Sequence, residues 1–159
     1  MAFDLNIMDY PADFLRGWPT SPDSGNRESN RFKMAANVDS ACGDLVVLNS
    51  SSELIKPVTG TLYANFGIIV RGTLDDKSVY KSKRPIVLWG NYLVRTTKFD
   101  ASLNVGEHVV ASAPADVGLV PQDGVFFPAA NVTNANSGTC LQIIPGTGGQ
   151  PSSAIIEVK

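Results

Sequence analysis

The stretch from Phe66 to Phe99 constrains this chain more than any other. It holds three short apolar runs, Ile68-Ile69-Val70, Ile86-Val87-Leu88-Trp89 and Tyr92-Leu93-Val94. They are rich in β-branched and aromatic residues and are cut by Gly, Asp-Asp or Pro, which is the rhythm of strands and turns. The unbroken run at Ile68–Val70 predicts a strand covered on both faces. Gly90-Asn91 separates two of the runs, and Gly at the first central position predicts a type II′ hairpin there. Asp75-Asp76-Lys77-Ser78 reads as a turn, and Pro85 opens the next strand where its missing N–H is tolerated. The same stretch carries Lys77, Lys81, Lys83, Arg84, Arg95 and Lys98 with no acidic residue among them. The strongest β-pattern and a one-signed charge block therefore coincide.

The pattern extends on both sides. Gly43-Asp44 leads into Leu45-Val46-Val47-Leu48, and Gly106-Glu107 leads into His108-Val109-Val110-Ala111. Both are a glycine and an acid followed by a short strand, a repeated turn device without the fixed period of a repeat protein. Beyond Ala111, Pro114, Gly118, Pro121, Gly124 and Pro128 cut the chain into pieces too short for helices. Val125-Phe126-Phe127 reads as a short strand or an exposed aromatic knob. Thr139–Ile144 and Ala154–Val158 read as a closing pair of strands. Roughly eight to ten short strands predict an all-β fold, a small β-sandwich or barrel of jelly-roll-like or Greek-key type.

Residues 1–36 differ from the β-domain expected over 37–159. Pro11, Pro19 and Pro22 interrupt them, and turn formers fill Ser21 to Arg31. A short helix is expected from Tyr10 to Leu15, capped by Asp9. Phe3, Leu5, Ile7, Tyr10, Phe14, Leu15 and Trp18 are too apolar for a free linker. An extended N-terminal arm of this composition packs on its own domain or docks on another subunit. In the second case Phe3, Tyr10, Phe14 and Trp18 are the anchors, since large aromatics dominate interfaces. A chain starting near Ala36 would then fold but lose its assembly.

Composition narrows the function. At 159 residues and 43% apolar, the chain has the size and core of one domain. Its net charge of -2 argues against nonspecific nucleic-acid binding by the whole protein. The N-terminus has acids where a secretory signal needs positive charge, and no run of 18 apolar residues occurs. The expectation is a protein synthesised in the cytoplasm and kept soluble, with no membrane span or membrane partner. Cys42 and Cys140 share no metal-type spacing and read as two isolated buried thiols, with a disulfide between them as the alternative. The sequons at Asn49 and Asn131 are chance matches without a secretory signal.

No G-x-S-x-G, phosphate loop of the Walker type or H-E-x-x-H is present. Gly146-Thr147-Gly148-Gly149 lacks the Lys and helix of a phosphate site and reads as a surface turn. His108 is the one histidine, so any His-based triad must use it; a plain strand position is the simpler account. Asp39, Asp44, Asp75, Asp76, Glu107, Asp116 and Asp123 fit turns and strand edges. These observations predict no catalytic residue, no metal and no cofactor. For the basic block the plain reading is solvated strand edges. The alternative is charge complementarity between subunits, with Arg84 and Arg95 at the contact. Direct nucleic-acid binding ranks behind both.

The order of these phrases is similar to that of a known family. Gly43–Leu48, then Asn65-Phe66-Gly67-Ile68-Ile69-Val70-Arg71-Gly72, then Tyr80-Lys81, Pro85–Val94 and Gly106–Val110 resemble structural cement, or head decoration, proteins of tailed bacteriophages. The resemblance covers roughly residues 40–112. It implies a non-enzymatic virion protein on the exterior of the capsid, commonly a trimer. Such a protein binds the major capsid protein and braces the lattice against internal DNA pressure. The competing expectation is a carbohydrate-binding β-module of a phage fibre or lectin-like protein, with Trp18, Trp89 or Tyr92 as sugar platforms. An exposed aromatic in a concave site favours the second, and aromatics buried in a core or interface favour the first.

Overall fold

The apolar runs are buried on two sides because two separate clusters divide their side chains. Leu45, Val47, Ile68, Val70 and Leu88 face a larger core, while Val46, Ile69 and Val87 face a smaller one with Met34 and Leu54. Side chains alternate across a strand, so a strand between two apolar layers must be apolar at every position. The computed structural model describes residues 12–16, 28–129 and 138–158. Its strands are β1 (Ala12–Arg16), β2 (Glu28–Ser29), β3 (Leu45–Leu48), β4 (Leu54–Ile55), β5 (Gly67–Arg71), β6 (Ile86–Leu88), β7 (Tyr92–Thr96), β8 (Val109–Ser112), β9 (Val125–Pro128), β10 (Thr139–Ile144) and β11 (Ser153–Val158), with one helix, α1 (Lys77–Ser82).

The chain is a small, mostly antiparallel β-domain with little helix. Its strands form three sheets, ordered β2-β6-β5-β3-β4, β1-β7-β11-β10 and β8-β9. The larger core lies among all three, with Tyr92, Val94, Val109, Phe126, Cys140 and Ile156 opposing the five-stranded sheet. Phe66 and Phe126 meet edge to face there at 5.6 Å. Isolated bridges tie the sheets together, with His108 antiparallel to Thr139 and Phe99 parallel to Phe126.

Several local expectations change. Gly90-Asn91 is not a hairpin turn: β6 and β7 belong to different sheets, and Asn91 takes the positive φ of 57°. The chain uses this point to cross between layers. Asp75–Ser78 is not a plain turn but the start of α1, capped by Asp76, whose carboxylate accepts the Ser78 N–H at 2.7 Å. Ala12–Arg16 is a strand against β7, not part of a helix. Within residues 1–36, β1 and β2 are hydrogen-bonded into the sheets, and Met34 is 4% exposed in the smaller core. A chain beginning near Ala36 would lose two strands and a core side chain, so it would not keep this fold intact.

Candidate interaction surface

Several of the polar residues singled out in the sequence make contacts that serve the fold. His108 is exposed, with Nδ1 3.4 Å from the Gly138 carbonyl oxygen. Asp75 accepts the N–H groups of Cys42 and Gly72 at 2.8 and 2.7 Å, and Asp39 accepts the Thr73 hydroxyl at 3.2 Å. The hydrogen bonds from Ser78 hold the Asp76 carboxyl below the usual carboxylate range, with help from Arg71. Among the described residues, no three His, Cys, Asp or Glu side chains are placed to hold a metal ion. Cys42 and Cys140 are not bonded to each other, and burial pushes the Cys140 thiol up.

Of the candidate sugar platforms, Trp18 lies outside the described residues, and Tyr92 and Trp89 face inward. Tyr92 is wholly buried, and desolvation raises its hydroxyl far above the ordinary tyrosine value. Trp89 is half-buried and packs edge to face on Phe32 at 5.8 Å. Among the described residues the exposed aromatic is Tyr80, on α1, with the Lys83 ammonium 4.0 Å from its ring centre.

Exposed apolar surface gathers instead on one turn. Val117 and Val120 exchange two backbone hydrogen bonds of 3.1 Å across Gly118 and Leu119. Gly118 has φ of 64° and Leu119 does not share a positive φ, the pattern of a type II′ turn. Gly at the first central position supplies that φ without strain. The turn holds Leu119 at 98% exposure, with Val117 at 68% and Val120 at 62%. At its foot lies a cleft of about 630 Å³, lined in part by Val38, Ile55, Pro57, Val58 and Pro121. Sequence reading missed this feature and saw only a chain broken by Pro and Gly. The available signal was Val-Gly-Leu-Val-Pro, a two-residue turn with Gly first.

The ends of this turn are fastened by charge. Asp123 meets Lys56 at 2.5 Å and Lys98 at 3.4 Å, and Lys98 also reaches Asp44 at 2.5 Å. The bond from Lys56 is the main reason the Asp123 carboxyl lies below its ordinary range.

The basic block divides. Lys77, Lys81 and Arg84 are exposed around α1, and Arg84 donates to the Arg31 carbonyl oxygen. Arg95 is 4% exposed within β7, where its Nε donates to Ser153 Oγ at 2.8 Å. At that exposure Arg95 presents little side-chain surface in the single chain, in contrast to Arg84. Phe3, Tyr10 and Trp18 lie outside the described residues; Phe14 is in β1, paired with Val94. No protein-family model, curated protein or solved structure matches this chain.

Proposed function

We propose that this is a non-enzymatic structural virion protein, a cement or decoration protein that binds the outer surface of a phage head. The observation that carries this reading is the Val117–Val120 turn. It projects three large apolar side chains from a domain whose aromatic residues are mostly turned inward. A contiguous exposed apolar feature marks a protein contact. The sequence resemblance over residues 40–112 supplies the kind of contact, the major capsid protein and further copies in a trimer on the capsid exterior. The inward placement of Tyr92 and the packing of Trp89 favour this reading over a sugar-binding module.

The finer architecture proposed with it is a barrel-like closure carrying an N-terminal arm over residues 1–36. In support, β10 continues to β8 through the hydrogen bonds of Cys140 with Gly106 and Glu107. β9 in turn meets the end of β7 through the Phe126 N–H to Lys98 and the Asp100 N–H to Phe126. Closure of that kind removes sheet edges. The arm is strapped to its own domain by β1 and β2, and Phe3 and Tyr10 are its proposed anchors on a neighbour.

The test is co-sedimentation of purified protein with phage heads that lack it, followed by heating of the decorated heads. Saturable binding and a higher rupture temperature are expected. Heads that neither bind the protein nor gain stability would overturn the reading.

A further inference from the structure

We propose that the Val117–Val120 turn of one copy docks on the α1 face of a second copy of this chain. This deepens the reading above by naming the contact between copies, and it is tested separately from capsid binding. The two surfaces are opposite in charge and alike in apolar character. Asp123 is engaged by Lys56 and Lys98 in its own copy, and the turn side presents Asp116, exposed beside Val117, and Asp39, exposed in the lining of the cleft. Around α1, Leu74 is 66% and Tyr80 54% exposed, among Lys77, Lys81, Lys83 and Arg84. Asp75 and Asp76 offset part of that charge, and with Arg71, which lies 3.7 Å from Asp76, the face still holds five bases against two acids.

A basic face and an acidic knob on one chain favour one relative orientation of two copies over others. A nucleic acid would satisfy the basic face but leave the apolar turn exposed; a second copy satisfies both.

The two surfaces also border one short segment. Asn37, Val38 and Asp39 line the cleft at the foot of the turn, and the Ser40 carbonyl accepts the Leu74 N–H at 2.9 Å beside α1. Each copy therefore presents a knob and a receptor side by side. Such unlike halves make a heterologous contact, which forms a ring where its rotation closes.

The experiment is sedimentation of the full chain at low and at physiological salt. Wild type is expected above the monomer mass, with association weakened by salt. Leu119→Asp, at a side chain that touches almost nothing in its own copy, should weaken association at least tenfold with an unchanged circular dichroism spectrum and melting point. Asp116→Lys alone and Lys77→Glu with Lys81→Glu should each weaken it, and the three together should restore it. A monomeric wild type, a Leu119→Asp protein that assembles normally, or a charge swap without rescue would overturn the proposal. If Leu119→Asp assembles normally yet no longer binds heads, the turn faces the shell; the cement reading then stands and this contact does not. If wild type assembles as described yet ignores heads, the contact stands and the cement reading falls.

Discussion

The turns at Gly43-Asp44 and Gly106-Glu107 are built alike and carry different loads. Each glycine has a positive φ, 92° and 88°. Each acid folds back on the N–H three residues earlier, Asp44 on Ala41 at 2.8 Å and Glu107 on Asn104 at 2.7 Å. Asp44 is 6% exposed and also holds Lys98, fifty-four positions away at the end of β7. Glu107 caps a turn close to the surface. The local device is identical, so what separates the two is the tertiary partner that one of them has gained.

Asp44→Ala should show the largest effect. It leaves the Ala41 N–H without its acceptor and Lys98, whose side chain is 16% exposed, with only the longer contact to Asp123. Breaking a mostly buried, hydrogen-bonded pair costs about 3 kcal/mol. Urea unfolding measures it; a loss below about 1 kcal/mol would mean that Lys98 finds another partner and that the two turns are equivalent.

Gly106→Ala comes next. A Cβ there would meet nothing within 4 Å, so the cost is backbone strain alone. About 1–2 kcal/mol is expected for placing an L-residue in that region. A neutral result would show that the turn can relax, and that the glycine is not what fixes the device. Glu107→Ala should cost less, about 0.5–1 kcal/mol, because water can replace an exposed cap. Equal losses at Asp44 and Glu107 in the same titration would break the comparison.

This contrast also explains what the sequence made legible. The turn device and the doubly covered strand at Ile68–Val70 are written in neighbouring residues, and both were readable. Partner choice is not local. The runs Ile86–Leu88 and Tyr92–Val94 look like two arms of a hairpin, yet they go to different sheets. Arg95 reads as one more member of a surface charge block, but it is 4% exposed and its Nε donates to Ser153. Lys77–Ser82 has six residues, too few for an apolar period to show, and only the cap at Asp76 marks its start. The exposed turn at Val117–Val120 was hidden for a related reason. Gly118 signals the bend, but valine and leucine are the residues a reader assigns to a core, and nothing in their identity says that the bend carries them outward.

The smallest effect belongs to Asp123, the second carboxylate on Lys98. Its folded pKa lies below the ordinary value, chiefly through the hydrogen bond from Lys56 and then through the charges of Lys98 and Lys56. A depressed carboxylate stabilises the fold above its unfolded pKa, about 3.9, and that contribution is lost as pH falls through the lower folded value. Asp123 is exposed, so its contribution should stay within the 0–1 kcal/mol usual for surface pairs. Asp123→Asn should therefore melt slightly below wild type at pH 6, and the two curves should converge as pH falls through the lowered folded value. Salt separates the two carboxylates further. Raising ionic strength to about 1 M shortens the screening length to about 3 Å, which should erase the Asp123 difference and leave most of the Asp44 difference in place. If salt removes both alike, Asp44 is held by long-range charge and not by the buried hydrogen-bonded contact with Lys98.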